Sequence, residues 1–250
     1  MPTNQLPGTT AVVTGASHGF GRAIATALSQ AGAQVVGVAR DRARLEDLQA
    51  QLGEAFTPVV ADATDPVIAG QLIDSYQPRT LVLNAGASPL LRPVHHHTWQ
   101  TFSRNWDVDV QHVFHWTREA LLRPLDPGTT VVTLSSGAAV SGSPLSGGYA
   151  GAKATIRFLT AYAKTESDRG ALGIRFTSVL PKLTAGTGLG AAAVTAYASR
   201  QGMDTAAFLD GLGPTLTPEQ VAKTILDLII DRGYDQEAYL LTPTGLEPIG

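Results

Sequence analysis

The stretch TTAVVTGASHGFGRAIATALSQAG, Thr9 to Gly32, constrains the chain more than any other. A β-branched apolar run ends in a glycine-rich turn. A segment with apolar residues at helical spacing follows at once, and Gly32 closes it as a C-cap. The same alternation then repeats. AQVVGVAR reads as a second strand, and DRARLEDLQAQLG as a helix capped by Asp41 and stopped near Gly53. FTPVVAD reads as a third strand, with Pro58 placing it at a sheet edge or near a strand start. DPVIAGQLIDSY starts with a cap and a proline at the first helical position. TLVLNAG, GTTVVTLSS, GIRFTSVLP and EAYLLT are further strands. Between them run helices over about Thr98–Arg123, ended by Pro124, over Gly148–Arg169, and over TPEQVAKTILDLIID.

Strands that are apolar on both faces and alternate with helices belong to a parallel sheet covered on both sides. The expectation is an α/β fold: one doubly wound Rossmann-type domain over residues 1–250, with about seven strands. No Pro/Gly/Ser-rich linker divides the chain. The segment 183–215 breaks the rhythm after a strand's C-terminal end, where such sheets bind ligands, so it reads as a lid over a substrate.

Composition narrows the function. The net charge of −3 is spread without a basic face, which argues against nucleic acid. The absence of cysteine removes disulfides, thiolate catalysis and cysteine metal sites, and fits a reducing cytoplasm. The N-terminus has no signal-peptide pattern and no apolar run is long enough to cross a bilayer. The triplet His95–His97 is a poor metal site: neighbours on a strand face opposite ways and no carboxylate sits at ligand spacing. Trp99, Trp106 and Trp116 read as core or subunit packing.

TGASHGFG places glycines at 15, 19 and 21, where backbone amides and a helix N-terminus can meet a pyrophosphate. Further on come D-A-T at Asp62–Thr64, N-A-G at Asn84–Gly86 and S-S at Ser135–Ser136. The pair in YAGAK, Tyr149 and Lys153, is four residues apart and shares a helix face. In order and spacing, from about 9 to 181, this set resembles the short-chain dehydrogenase/reductase family.

The resemblance implies a reductase or dehydrogenase for a small carbonyl/alcohol pair. Tyr149 would be the general acid and base, and Ser136 would hydrogen-bond the substrate oxygen. Lys153 would favour the phenolate and hold the nicotinamide ribose. It implies cofactor contacts from Gly15, Ser17, His18, Gly19, Phe20 and Gly21, from Arg40, and from Asp62 and Ala63. Asn84, Ala85 and Gly86, then Tyr149 and Lys153, then Pro181 and Thr184 complete that set. Ala39 stands where an NAD enzyme carries an acid, Arg40 follows it, and His18 adds a base. This charge pattern favours NADP(H) over NAD(H). Relatives pair through the two long helices, so a homodimer or homotetramer is expected.

The chain also departs from the family. Asp109 replaces an asparagine that in the family holds a helix kink whose backbone carbonyl binds a water connected to the lysine, and it brings a carboxylate near Lys153, so it joins the candidate catalytic residues. His112 replaces a small residue, and Lys182 replaces a glycine after Pro181. These changes keep two other readings open: a non-redox lyase or isomerase, and an NADP(H)-binding regulator. Pocket residues are expected from 87–96, 137–146 and 182–210, and because the segment after N-A-G lines the pocket in relatives, the resemblance implies His95 or His97 near the substrate mouth. The few charges there (Arg92, Lys182, Arg200, Asp204 and Asp210) suggest a neutral, moderately hydrophobic ketone or alcohol.

Overall fold

The computed structural model describes residues 5–249, so residues 1–4 and 250 of the expected 1–250 domain lie outside it. The strands are β1 (Thr10–Thr14), β2 (Gln34–Ala39), β3 (Phe56–Val60), β4 (Thr80–Leu83), β5 (Thr130–Leu134), β6 (Arg175–Pro181), β7 (Ala238–Thr242) and β8 (Gly245–Pro248). They form one sheet in the order β3-β2-β1-β4-β5-β6-β7-β8. Every pairing is parallel except β7 with β8. The expected count of about seven falls one short. The chain after EAYLLT turns at Pro243–Thr244 and returns as an antiparallel edge strand. β3, which carries Pro58, is the opposite edge, where a missing backbone donor costs no ladder bond.

The helices are α1 (Gly19–Gln30), α2 (Arg42–Leu52), α3 (Pro66–Tyr76), α4 (Trp99–Asn105), α5 (Gln111–Leu122), α6 (Ala138–Ser141), α7 (Gly147–Arg169), α8 (Gly188–Gln201), α9 (Thr205–Leu212) and α10 (Pro218–Ile230). Period-two alternation along the strands feeds two cores. Val13 and Val35 pack with Ile24, Leu45 and Ile225 from α1, α2 and α10. Their neighbours Val12 and Val36 pack on the other face with Ile73, Trp116 and Ile156 from α3, α5 and α7. Local capping agrees with the sequence. Asp41 accepts from the Arg44 amide and Asp65 from Val67. α1 ends at Ala31, followed by Gly32 at φ +98°.

The single helix expected over Thr98–Arg123 is interrupted. α4 gives way at Trp106–Val110 to a π-helical turn, WDVDV, before α5 begins. The wider turn admits one extra residue per hydrogen bond and rotates the following side chains. It is held from outside: Asn105 Nδ2 donates to the Ala87 carbonyl at 2.7 Å, and the Asp109 carboxylate accepts from the Ala87 amide at 2.8 Å.

Candidate active site

The strand order reverses between β1 and β4, the place where doubly wound sheets open a crevice. Asn84 ties the two strand ends together. Its side-chain amide donates to the carbonyls of Thr14 and Gly15, and the Thr14 hydroxyl accepts from the amides of Asn84 and Ala85.

The β1–α1 loop is shaped for an anion. Gly15 has φ +68° and Gly19 φ +54°, and a Cβ on Gly21 would lie 2.1 Å from the Gly15 carbonyl oxygen. The first α1 hydrogen bond runs from the Arg22 amide to the His18 carbonyl, and the His18 side chain does not cap the helix. The amides of Gly19, Phe20 and Gly21 therefore have no intrahelical acceptor and suit a phosphate. Ser17 is buried beneath the loop, His18 is exposed on it, and Phe20 turns toward the substrate-sized cavity described below. Arg40 and Asp62 stand at the ends of β2 and β3, 3.9 Å apart and largely exposed. The Thr64 amide, and more weakly Arg40, hold the Asp62 carboxyl below the usual carboxylate range against the opposing effect of its partial burial. Buried Ala63 accepts from the Trp116 indole at 2.9 Å.

Across the crevice, β5 delivers Ser135 and Ser136, and α7 delivers Tyr149 and Lys153. The helix is pinned at this end. The Ser135 hydroxyl donates to the Lys153 carbonyl at 2.8 Å, and the Lys153 ammonium donates to the Leu134 carbonyl at 3.0 Å. A Cβ on Gly148 would lie 2.0 Å from the Phe102 carbonyl oxygen, so only glycine allows α7 to approach α4 this closely. The Lys153 nitrogen lies 5.6 Å from the centre of the Tyr149 ring. The Ser136 oxygen accepts from the Ala138 amide at 3.2 Å, and its own proton points to no acceptor among the described residues.

Asp109 meets this group with its side chain. One carboxylate oxygen lies 3.2 Å from the Lys153 nitrogen, and both side chains are almost wholly buried. The carboxylate also fills the space under Gly86, where a Cβ would come within 2.9 Å of it. Burial alone would pull the Lys153 ammonium down. Asp109, with Tyr149 adding to it, outweighs that effect and leaves the ammonium raised above its ordinary 10.5. His112, one turn further on, is fully buried edge-on to Trp116. Burial, and then the Lys153 charge, push its imidazole down to about 3, with the Ala85 backbone and Asp62 opposing weakly.

A cavity of about 570 Å³ opens beside Ser136 and Tyr149. Pro181 and Thr184 line it from the end of β6, and residues of α8 and α9 line the far side. The expected segments contribute, but the cavity also reaches Thr215, Leu216, Leu240 and Pro243, which adjoin it only in the folded chain. His95 and His97 do not line it: His95 is exposed and His97 is held by the Thr101 hydroxyl at 3.1 Å. Trp116 is core, as expected, whereas Trp99 is 78% exposed. Tyr197 and Phe208 carried no signal in the sequence. They stack across α8 and α9 at 6.4 Å, and Tyr197 meets the Ser143 hydroxyl at the cavity wall.

Comparison with known proteins agrees with this geometry. A family model described as short chain dehydrogenase matches residues 9–201. A probable NADP-dependent dehydrogenase of Haemophilus influenzae is 32% identical over 72% of this chain and 73% of its own. A serine 3-dehydrogenase of Rhizobium radiobacter is 35% identical over 69% and 70%. The crystal structure of 3-ketoacyl-(acyl-carrier-protein) reductase from Brucella melitensis, complexed with NADH, superposes with a TM-score of 0.74 at 22% identity, covering 92% of this chain and 93% of that one. A sheet wound in this order, with the glycine loop, N-A-G turn, serine and Tyr/Lys pair gathered at its switch point, places the chain in the short-chain dehydrogenase/reductase family of oxidoreductases.

Proposed function

We propose that the protein interconverts a small carbonyl compound and its alcohol with NADP(H), using Tyr149 as the general acid and base. The observation that carries this reading is the convergence of Ser136 and Tyr149 on one cavity wall with the Lys153 ammonium beside the phenol ring. The chemistry a bound nicotinamide supplies is the hydride. In reduction, Tyr149 donates its hydroxyl proton to the substrate oxygen as that oxygen gains negative charge, and in oxidation the phenolate takes the proton back. Ser136 donates a hydrogen bond to the same oxygen. Lys153 holds the phenol and the ribose side of the cofactor, and Asp109 is a positioning residue that fixes the ammonium. Asn84, Ala85 and Gly86, Pro181 and Thr184 border the cofactor path.

The preference for NADP(H) rests on Arg40 and His18, two exposed bases beside a loop with no acid at Ala39. An exposed pair as long as Arg40–Asp62 is weak, so the guanidinium is available to a 2′-phosphate. The name of the Haemophilus relative points the same way, whereas the Brucella structure holds NADH. Residues 183–215, with α8 and α9, act as the lid of a single domain. Phe114, Leu122, Phe158 and Tyr162, exposed on α5 and α7, suit a homodimer or homotetramer formed through those helices. Among the described residues no helix is long and apolar enough to cross a membrane, and the cysteine-free chain suits the cytoplasm.

The direct Asp109–Lys153 contact also favours a second reading, a non-redox lyase or isomerase, because it engages the lysine that a redox relay would use. Fluorescence titration with NADPH and NADH, followed by NADPH oxidation against ketones and aldehydes, separates the two. Tight NADPH binding and turnover abolished in Tyr149→Phe are expected. Binding without turnover across the panel favours the second reading, and failure to bind either cofactor refutes both.

A further inference from the structure

Of the five charges expected around the pocket, Arg92, Arg200, Asp204 and Asp210 all stand off the cavity, and Lys182 alone lines it. Its place is fixed by the sheet. The Lys182 amide donates to the Leu241 carbonyl at 3.0 Å, and the Gly137 amide donates to the Pro181 carbonyl at 2.9 Å. The solvent-exposed Lys182 side chain thus leaves the end of β6 beside the site, with its Cγ 3.7 Å from the position of a Cβ on Gly137, the residue after Ser136. Its ammonium has no hydrogen bond or carboxylate partner among the described residues, and no acidic side chain lines the cavity.

The remaining lining behaves as apolar. Its hydroxyls are largely spent on the protein: Thr184 donates to the Lys182 carbonyl, Thr187 to Thr184 and Ser141 to Gly137, while the Ser143 hydroxyl is hydrogen-bonded with those of Ser146 and Tyr197. Leucines 91, 183, 189, 212 and 216 supply much of the wall. A neutral ketone would fill this space but make no use of the one cation that lines it. A basic substrate would meet a like charge and no counter-ion, and a polyol would find few free partners.

We infer that the substrate of the proposed reaction is an oxo acid, with a carboxylate a few bonds from the carbonyl held by Lys182 and an apolar body in the cavity. This rests on the carbonyl-reductase reading, because Ser136 and Tyr149 set where the carbonyl lies. An anion so placed gains a charge-assisted hydrogen bond that a ketone of equal length lacks.

The test is calorimetry on the full chain saturated with NADP+ (or NAD+, if that is the nucleotide that binds). It compares 2-oxodecanoate and 4-oxodecanoate with decan-2-one, in the wild type and in Lys182→Met. At least one oxo acid is expected to bind about tenfold more tightly than the ketone in the wild type. That advantage should vanish in Lys182→Met and shrink with salt, with nucleotide affinity and ketone affinity unchanged. Equal binding of acid and ketone, an advantage that survives Lys182→Met, or no binding of any probe overturns the inference. So does a loss of nucleotide affinity in Lys182→Met, which would assign the lysine to the cofactor. The nucleotide titration itself reports on the underlying nicotinamide reading, so the two failures are distinguishable.

Discussion

Acid should destabilise this protein through His112. The imidazole has an ordinary pKa of 6.5 in the unfolded chain and about 3 in the folded one. Between those values the unfolded state binds a proton that the native state refuses, so stability falls as pH falls. The contribution is intact above 6.5, is lost progressively below it, and is fully gone at about 3. Each pH unit in the window is worth about 1.4 kcal/mol, which makes about 2 kcal/mol at pH 5 and about 5 kcal/mol over the whole range. Domains have only about 5–15 kcal/mol to lose. The physical reason is that a charged ring here would sit in an apolar core against Trp116 and near the Lys153 ammonium. Urea denaturation at pH 7.5, 6 and 5 reads the slope directly. In His112→Leu the stability at pH 7.5 can move either way, but the slope between 7.5 and 5 should flatten by about 2 kcal/mol. Asp62, held below its ordinary 3.8, loses its contribution only at lower pH and leaves this window clear. Parallel slopes in wild type and variant would refute the argument.

Three further outcomes follow from the same geometry. Asp109→Ala strands the Lys153 ammonium without its counter-charge and should cost about 3–5 kcal/mol in urea denaturation. Asp109→Asn should cost less and, because the raised lysine contributes fully below 10.5 and loses its contribution as pH climbs past that value, should also remove the wild type's loss of stability above about pH 10.5. A cost for Asp109→Ala below about 1 kcal/mol would deny the ion pair its role. Gly21→Ala puts a methyl group 2.1 Å from the Gly15 carbonyl oxygen and should abolish NADPH binding, read by fluorescence titration, with a smaller loss of melting temperature. Arg40→Ala should weaken NADPH by about tenfold or more and leave NADH nearly unchanged, and an equal loss for both would remove the 2′-phosphate assignment.

Much of this molecule is written locally. A β-branched run becomes a strand and an amphipathic run a helix wherever they lie, Asp41 and Asp65 cap helices through amides two or three residues away, and Pro66 suits the first helical position. The glycine loop, the N-A-G turn and the Tyr149/Lys153 pair are short-range patterns too, so the fold and the residues gathered at its switch point were legible before any coordinates. The interruption of the long helix showed only through the resemblance, as a kink at position 109. The composition of WDVDV does not mark a π turn, which is held by Ala87 arriving from another loop to bond Asn105 and Asp109.

The same limit hid the rest. Asp109 and Lys153 are 44 positions apart in the chain, and their contact at 3.2 Å exists only because the π turn and α7 are pressed together. The resemblance placed the Asp109 charge near Lys153, but not the direct contact or its burial, and burial turns that charge from a weak surface effect into a strong one. His112 carried no mark of full burial, and β8 is a strand only because β7 offers an unpaired edge. Lys182 stood out in the sequence as a departure from the family's glycine, but only the packing of β6 against β5 and β7 showed that, of the five charges expected around the pocket, it alone lines the cavity. Propensity and spacing act over a few residues and set which elements form, whereas electrostatics and cavity shape depend on distances through space, which only the packed chain defines.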